Sequence, residues 1–570
     1  MRYSGARILV EALIEQGVDT VFGYPGAAVL YIYDELYRQR GRIRHILVSH
    51  EQHAAHAADG YARSSGKTGV CIATSGPGAT NLITGIAAAY MDSVPLVAIT
   101  GNVSTALLGK DSFQEVDIAG ISMPVVKHNW ILKDVDEAAE TVREAFIVAA
   151  SGRPGPVLID IPKDVMAAVG EYRPQSAVRG PRARRLLERK ERRTFDGGDI
   201  RRAAELIRQA RRPLIYAGGG VISSGAEEQL TRLAERLNAP VSLSLMGIGA
   251  VPHNHRLCTG LIGMHGTAAS NRAAQKADLL MAVGTRFSDR VTSRADRFAR
   301  GAGILHIDID PAEINKNVRA AAAVTGDVKA VLTRLLEELP QRVETEWNGD
   351  IQKWKALYPR DHHRKTALHP RFVVQETARR LGDGAVVVTD VGQHQIWAAQ
   401  FYPFTRPRSF LSSGGLGAMG FGLGAAAGAK IANPGRPVVL FTGDGSFRMN
   451  SAEMAALTAY RLPVLIIIFN NRALGMVRQW QNFFFAGRYY ESSLEGRPPD
   501  FVKLAEAYGV SGRRAGDEAS FASALDGGLA ETAAGRPALI EAVIDMDERV
   551  LPMVPGGKPV DEQIMGTSGA

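Results

Sequence analysis

The chain has 570 residues, too many for one hydrophobic core, so we expect three or four domains. Apolar residues make up 45% and charged residues 22%, a balance typical of a globular protein that excludes a disordered or fibrous chain. We also expect a cytoplasmic protein without membrane contact. Residues 1–21 resemble neither a signal nor a transit peptide, no apolar stretch is long enough to span a membrane, and two cysteines cannot form a disulfide framework.

The net charge of +8 raises the question of nucleic-acid binding, so the position of the charge matters. Residues 179–193 hold eight Lys or Arg against two Glu, a local charge of +6, and the rest of the chain is nearly balanced. This run has no interleaved aromatic residues. We interpret 171–198 as a solvated basic linker and expect no nucleic-acid partner.

Residues 1–170 alternate between strand-like and helix-like patterns with Gly and Pro between them, which predicts an open parallel α/β sheet. Its strands are expected at 18–22, 44–48, 69–73, 96–100 and 157–161. Glu51 follows the second strand and begins an Ala-rich helix, at the edge where such sheets place functional residues. The alternative is an ordinary acidic residue at a helix N-terminus. His50, His53 and His56 are three apart and drift around a helix, so we expect no metal there.

The middle segment, 199–345, predicts a second α/β unit with strands at 213–217, 240–244, 279–283 and 304–309. Three glycines, 218–220, follow its first strand and suit a phosphate, although simple turns are commoner than sites at such runs. Asp308 lies at the end of its last strand and could accept ribose hydroxyls.

A third α/β unit, 370–548, begins with a strand at 385–389. Gly415, Gly417 and Gly420 then satisfy the GxGxxG pattern of dinucleotide sites. The pattern lacks an apolar strand immediately before it, so we do not expect NAD there. By itself Met419 within this run would be an ordinary core methionine.

Residues 437–480 predict one βαβ unit whose two strands end in Gly443-Asp444-Gly445 and in Asn470-Asn471. Parallel strands end at the same edge of a sheet, so Asp444 and Asn471 are expected to lie close together. Carboxylate and amide oxygens suit Mg²⁺, and the glycines permit close approach to an anion. The pattern therefore predicts a diphosphate anchor, whereas a bare GDG would indicate only a capping Asp.

The motif GDGS followed by NN resembles the thiamine-diphosphate motif of the 2-oxo-acid decarboxylases and carboligases. The resemblance implies that Asp444, Asn471 and the backbone carbonyl of Ala473 hold Mg²⁺. The further thiamine-diphosphate contacts that it implies are Gly443, Gly445, Ser446, Gly475 and Met476.

The segment HEQ…AAHAADGYAR resembles the family segment whose glutamate bonds the aminopyrimidine ring of the cofactor, and Glu51 is the matching residue. TSGPGATN at 74–81 and GKDSFQE at 109–115 match the family as well. The implied catalytic residues are Glu51, Gln114 and Met419, the last of which supports the bent cofactor. The implied substrate contacts are Phe113, Lys163, Arg290, Met476 and Trp480.

GMHG at 263–266, GTRFSDR at 284–290 and DIDPAE at 308–313 resemble the FAD-binding segments of acetohydroxyacid synthase, also called acetolactate synthase. The chain is identified as a member of that family, similar to its large catalytic subunit. The flavin of this family is required structurally, and the reaction is not a redox one. The implied FAD contacts are Arg153, Gly219, Met264, His265, Gly284, Arg286, Asp289, Asp308, Ile309, Glu313 and Asp327.

The resemblance implies decarboxylation of pyruvate on thiamine diphosphate and condensation of the hydroxyethyl group with pyruvate or 2-oxobutanoate. The products would be 2-acetolactate or 2-aceto-2-hydroxybutanoate, on the way to Val, Leu and Ile. It also implies a homodimer or homotetramer, with Glu51 and Asp444 of each site on different chains, and a regulatory small subunit. The alternatives are another thiamine-diphosphate carboligase and a pyruvate oxidase-like enzyme.

The implied domains are a pyrimidine-binding domain (1–170), the basic linker (171–198), an FAD-binding domain (199–345), a diphosphate-binding domain (370–548) and a C-terminal lid and tail (549–570). Small, polar residues from Asp561 onward predict disorder. Ser104 and Ala106 stand where many relatives carry Pro and Arg, so sensitivity to inhibitors that bind this loop does not follow from the resemblance.

Overall fold

The computed structural model of the chain describes residues 1–174, 195–342, 346–356, 368–496 and 499–566. Within these residues, strands form three six-stranded parallel sheets and one two-stranded antiparallel sheet. The predicted α/β class with three parallel sheets is therefore confirmed. Most of the expected basic linker lies outside the described residues. No helix in the described part of the chain combines the length and apolar character needed to cross a membrane.

The first sheet has the strand order β3-β2-β4-β5-β7-β6, and β1 pairs antiparallel with β8. The strands are β1 (Arg2–Ser4), β2 (Thr20–Gly23), β3 (Arg44–Leu47), β4 (Gly69–Ala73), β5 (Leu96–Asn102), β6 (Asn129–Ile131), β7 (Pro156–Pro162) and β8 (Val169–Glu171). The α-helices are Gly5–Glu15, Leu30–Arg38, Glu51–Ser65, Pro77–Asn81, Ile83–Met91, Ile118–Ser122, Ala138–Ala150 and Lys163–Ala167. Every residue of β4, β5 and β7 is buried, because helices cover both faces of a parallel sheet.

The central sheet has the order β11-β10-β9-β12-β13-β14. Its strands are β9 (Pro213–Ala217), β10 (Val241–Leu243), β11 (Cys258–Leu261), β12 (Leu279–Val283), β13 (Gly303–Asp308) and β14 (Ala322–Thr325). The helices are Gly197–Gln209, Gly219–Ser224, Glu227–Leu237, Ala268–Lys276, Asp289–Thr292, Val328–Glu338 and Glu346–Ala356. The strand order reverses between β9 and β12, and such a switch point opens a crevice at the carboxyl ends of the strands.

The third sheet has the order β16-β15-β17-β18-β20-β19. Its strands are β15 (Val386–Thr389), β16 (Phe410–Leu411), β17 (Val438–Gly443), β18 (Val464–Asn470), β19 (Ser511–Ala515) and β20 (Ala538–Val543). The helices are Pro370–Leu381, Gln393–Phe401, Gly422–Ala432, Asp444–Asn450, Met454–Ala459, Gly475–Phe484, Phe501–Ala507 and Glu518–Ala533. Strands β17 and β18 are parallel neighbours, which confirms the predicted βαβ unit.

The first and third units meet where the helices Glu51–Ser65 and Gly422–Ala432 pack against each other. Glycines allow their backbones to touch. A Cβ atom on Gly428 would lie 1.9 Å from the carbonyl oxygen of Ala57, and one on Gly60 would lie 2.2 Å from that of Ala425. The helix that begins at Glu51 is therefore held directly on the third unit of the same chain.

The C-terminal tail is more ordered than its composition predicts. Ile564 and Met553 exchange two backbone hydrogen bonds of 2.8 and 3.0 Å, and the amide of Val554 donates to the carbonyl of Met264. The prediction of disorder from Asp561 is therefore wrong for residues 561–566, because these backbone pairs attach the tail to itself and to the central unit.

Candidate active site

Asp444 lies directly after β17, and Asn471 follows β18 at the same edge of the sheet. Both side chains are buried. The hydrogen bonds that Asp444 accepts come from backbone amides, those of Gly445, Arg472 and Ala473, and none of these carries a full charge. Burial raises the pKa of Asp444 to about 7, because the carboxylate loses its hydration and the amide hydrogen bonds and the charge of Arg448 offset this only in part.

The donor set at this edge fits a hard divalent cation. It offers a buried carboxylate, the side-chain amide oxygen of Asn471 and the backbone carbonyl of Ala473, and Mg²⁺ prefers oxygen ligands of these kinds. The described residues contain no group of three or more His, Cys, Asp or Glu placed to hold a metal. A cation here would therefore complete its coordination with water and ligand oxygens.

Glycines let the backbone close tightly around this edge. A Cβ atom on Gly475 would lie 2.0 Å from Oε1 of Gln393 and 2.5 Å from Nδ2 of Asn471. One on Gly443 would lie 2.9 Å from Nδ1 of His394. The expected anchor glycines thus border side chains that the sequence had not singled out.

Gln393 and His394 are the residues that the sequence analysis missed. They follow β15, which pairs with β17, and both line the same cavity as Asp444. Burial lowers the pKa of His394 to about 3, so its ring is neutral, and its buried Nε2 has no hydrogen-bond partner among the described residues. The available signal was their position at the end of a strand beside the GDG strand.

The glycine run around Met419 is held at both ends by carboxylates. Asp92 accepts hydrogen bonds of 2.9 and 2.8 Å from the amides of Gly414 and Gly415. Asp390 accepts two of 2.9 Å from the amides of Gly420 and Gly422. These four backbone amides therefore already donate to protein carboxylates.

One cavity of about 1220 Å³ joins the edge of the third sheet to the switch point of the central sheet. This exceeds the roughly 300–1,000 Å³ of a pocket for one small molecule, so there is room for more than one ligand. The expected residues that line it near the third sheet are Met419, Gly443, Asp444, Gly445, Ser446, Asn471, Ala473, Gly475, Met476 and Trp480. Those that line it near the central sheet are Arg153, Gly219, Met264, His265, Gly284, Arg286, Asp289, Arg290, Asp308, Ile309 and Glu313.

The central end of the cavity carries its own set of polar groups. Burial, together with the neighbouring Glu313 and Asp310, raises the pKa of Asp308 to about 6. Arg153 reaches over from the first unit and pairs with Glu313 at 2.8 Å. Nδ1 of His265 lies 3.2 Å from the carbonyl oxygen of Pro552, and burial lowers the pKa of His265 to about 4. The central end of the cavity is therefore lined both by carboxylates that can accept hydroxyl groups and by a neutral imidazole.

Asp327 is the expected FAD contact that lies outside this cavity. Its carboxylate caps the helix Val328–Glu338 by accepting a 3.0 Å hydrogen bond from the amide of Ala330. This contact is local and of the type that Asp commonly makes at a helix N-terminus.

Glu51, Phe113, Gln114 and Lys163 also lie away from the cavity. Glu51 is buried at the start of its helix, where its Oε2 accepts a 2.9 Å hydrogen bond from Nδ2 of Asn81. Phe113 is 88% exposed, and Lys163 is exposed at the start of the helix Lys163–Ala167. In a single chain, the expected pyrimidine residues and the diphosphate anchor do not share one cavity.

Three family models of thiamine pyrophosphate enzymes match the chain in order. The N-terminal TPP binding domain matches residues 3–121, the central domain 200–335 and the C-terminal TPP binding domain 390–542. Both TPP binding domains contain parts of the site described above. These matches support thiamine diphosphate as a cofactor of this chain.

Characterised relatives resemble the chain over almost its whole length. The acetolactate synthase isozyme 3 large subunit of Escherichia coli K12 is 44% identical over 98% of this chain and 98% of its own. The acetolactate synthase large subunit of Parasynechococcus marenigrum is 48% identical over 97% of this chain and 90% of its own. The acetolactate synthase of Mycobacterium bovis is 46% identical over 98% and 91%. The chain therefore belongs to the acetolactate synthase large-subunit family of thiamine-diphosphate-dependent enzymes.

Proposed function

We propose that this chain decarboxylates pyruvate and joins the two-carbon unit to pyruvate or 2-oxobutanoate, giving 2-acetolactate or 2-aceto-2-hydroxybutanoate. The observation that carries the proposal is the single cavity in which the Asp444 edge, Met419 and Trp480 meet. When bound, thiamine diphosphate supplies an acidic carbon that adds to a 2-oxo acid and a sink for the electrons left by CO₂.

The chain's own residues have separate tasks in this proposal. Asp444, Asn471 and the Ala473 carbonyl hold Mg²⁺, and neutral His394 lines the same edge of the cavity. Glu51 bonds a nitrogen of the aminopyrimidine ring, which favours the tautomer able to take a proton from the reacting carbon. Met419, which lines the cavity, supports the bent shape of the cofactor.

Trp480 and Arg290 are the proposed determinants of the second substrate. Trp480 is half-buried in the cavity wall, with its ring 5.0 Å from that of Phe484. Arg290 is largely exposed at the central end, where its Nε lies 3.8 Å from Oδ2 of Asp289, and its guanidinium would also form a charge-assisted contact with a substrate carboxylate. Met476 lines the same wall. A Trp480→Ala variant should lose preference for 2-oxobutanoate over pyruvate while its cofactor affinity stays unchanged.

Product analysis tests the reaction. Pyruvate alone should yield 2-acetolactate without oxygen uptake, and added 2-oxobutanoate should divert the product to 2-aceto-2-hydroxybutanoate. Acetate and hydrogen peroxide would instead support the pyruvate oxidase-like alternative, and a different ligation product would support another carboligase.

A second copy of the chain completes each site in this proposal, as a homodimer or homotetramer. Its support is that Glu51, Phe113, Gln114 and Lys163 lie away from the cavity that holds Asp444, and that Phe113 is strongly exposed. Mixing two inactive variants, Glu51→Gln and Asp444→Asn, tests it. A mixed dimer has one site with both native residues, so activity should return after dissociation and reassociation. Continued inactivity in a proven mixed dimer would show that each chain builds its own site.

FAD is the proposed occupant of the central end, where it has a structural role. The fit rests on the hydroxyl acceptor Asp308, on Arg286 in the cavity wall, and on Gly219 and Gly284, where the backbone forms that wall. Assays with FAD removed and restored should show activity and thermal stability rising together, without any change in flavin oxidation state during turnover.

The remaining proposals concern organisation. We place the domain boundaries at 1–170, 199–345 and 370–548, in agreement with one parallel sheet in each. The words "large subunit" in the names of the relatives support a regulatory small subunit. A cytoplasmic location is supported by two buried, unpaired cysteines, Cys71 and Cys258.

A further inference from the structure

Glu453 joins the anchor side of the chain to the segment that carries Glu51. It ends the short turn Ser451–Glu453, which follows directly after the helix that begins at Asp444. Its side chain is 1% exposed. A carboxylate so deeply buried must be matched by hydrogen-bond donors, and the donors identify what it holds.

Those donors come from the other end of the sequence. The amide of Ser49 lies 3.2 and 3.1 Å from the two carboxylate oxygens of Glu453, and Nδ1 of His53 lies 2.9 Å from Oε2. The hydroxyl of Ser49 also donates a 2.9 Å hydrogen bond to the carbonyl of Ala452. Three contacts therefore bind one turn of the third unit to residues 49–53.

Ser49 and His53 stand two residues before and two residues after Glu51. Between them, His50 caps the helix by accepting a 3.2 Å hydrogen bond from the amide of Gln52. The backbone around Glu51 is thus held on both sides by the carboxylate of Glu453. The single hydrogen bond from Asn81 is the contact that orients the Glu51 carboxyl itself.

We propose that Glu453 is a positioning residue that sets the place of the Glu51 carboxyl through Ser49 and His53. The inference rests on the proposed role of Glu51 in bonding the cofactor ring. A carboxylate suits the task because it accepts from both donors at once. Alanine removes both contacts, whereas glutamine keeps one acceptor oxygen and presents a donor in place of the other.

The first measurement uses the cofactor-free protein. In Glu453→Ala, a peptide covering residues 47–55 should exchange its amide hydrogens faster, because the Ser49 amide loses its acceptor. Glu35→Ala is the matched control, since Glu35 is likewise a buried glutamate and accepts a hydrogen bond from Gln39, but it lies elsewhere, in the first unit. Unchanged protection of residues 47–55 in Glu453→Ala would overturn the proposal.

The second measurement is the rate at which the bound cofactor exchanges its thiazolium C2 proton. Glu453→Ala should lower it on the order of 10²-fold, the cost of a misplacement of about 1 Å, with cofactor affinity within about twofold of wild type. In a Glu51→Gln background, Glu453→Ala should lower the rate no further, because it acts through Glu51. An equal loss in both backgrounds would show a merely structural role.

Two outcomes separate this inference from the proposed function. If Glu51→Gln exchanges at the wild-type rate, the role of Glu51 is wrong. If Glu51→Gln is slow and Glu453→Ala is normal, only the positioning role is wrong. Should Glu453→Ala fail to fold, His53→Ala replaces it and should lower the C2 exchange rate by a smaller factor. His53→Gln should recover the wild-type rate, because glutamine again donates a hydrogen bond to Glu453.

Discussion

Two buried aspartates line the same cavity from two different sheets: Asp308 is the last residue of β13, and Asp444 directly follows β17. Asp444 is surrounded mainly by backbone amides and by the oxygen ligands that Asn471 and Ala473 offer, and the charge of Arg448 acts on it only weakly. Asp308 lies beside Glu313 and Asp310, whose charges are partly met by Arg153. The comparison teaches that the same kind of strand end has two different environments. Around Asp444 neutral oxygen groups converge, which suits the proposed cation, whereas Asp308 lies among carboxylates that already have a basic neighbour, which suits the proposed flavin hydroxyls.

The largest expected effect comes from exchanging the two aspartates for asparagine. Asp444→Asn should lose Mg²⁺-dependent cofactor binding and lower turnover beyond the roughly 10²–10³-fold that one preorganised catalytic contact supplies, with flavin affinity unchanged. Asp308→Asn should weaken flavin binding and spare Mg²⁺-dependent binding. Flavin fluorescence and equilibrium dialysis of thiamine diphosphate measure both. If either variant lost affinity for both flavin and thiamine diphosphate, the two ends of the cavity would not be separate binding sites.

The pH dependence of stability should separate the same two residues. When folding raises the pKa of a carboxyl, its contribution to the free energy of unfolding is fully present below the unfolded pKa, near 3.8. That contribution is lost as the pH rises from there through the pKa of the folded state. In metal-free, cofactor-free protein, Asp444→Asn should become more stable than wild type between pH 4 and about 7, by up to about 4 kcal/mol. For Asp308→Asn the change should be complete by about pH 6 and smaller.

Denaturant unfolding at several pH values, with EDTA present, measures these differences. The difference between each variant and wild type should be smallest below about pH 4, where the aspartate becomes neutral in the unfolded as well as the folded chain. A constant offset between a variant and wild type at every pH would contradict the raised pKa of that residue.

Glycine substitutions at the two ends of the cavity should give smaller effects, which are steric in origin. Gly475→Ala places a methyl group 2.0 Å from Oε1 of Gln393, and Gly220→Ala places one 2.6 Å from the Cα of Gly284. Each should cost about 1–3 kcal/mol, and each should weaken only the ligand of its own end. Gly435→Ala is the control, because its Cβ would meet no atom within 4 Å. Equal weakening of both ligands by Gly475→Ala would show that the ends are not independent.

The smallest expected effect concerns Asp327. Asp327→Ala removes the cap of the helix Val328–Glu338 and should lower stability by about 0.5–2 kcal/mol, while flavin affinity stays at the wild-type value. Thermal unfolding and flavin titration measure the two. A loss of flavin affinity like that of Asp308→Asn would restore Asp327 as an FAD contact.

Several strands were predictable to the residue, and others were not predictable at all. β4, β9 and β12 are apolar runs bounded by Gly, Pro or Asp, and their predicted bounds match the structure. β6 and β14 lie at sheet edges, are short and only partly buried, and carry little apolar signal. The antiparallel pairing of β1 with β8 joins residues too far apart in sequence for local patterns to reveal.

The site divides in the same way. Asp444 and Asn471 were predictable because each follows an apolar strand and the two strands form one βαβ unit, so geometry within one supersecondary motif places them together. Gln393 and His394 were missed because their place beside that motif depends on the pairing of β15 with β17, two strands that β16 and two helices separate in the sequence.

By itself, the sequence determined the α/β class, the three parallel sheets and the family, since periodicity, strand-end residues and motif order are local properties of the chain. Only the tertiary structure decided that one cavity serves both the Asp444 edge and the central sheet, that Asp327 caps a helix, and that Glu453 holds the segment around Glu51. Those contacts join residues up to 404 positions apart in the sequence. The pKa values of Asp444 and His394 are shifted by burial, and these side chains become buried only when the sheets have packed together.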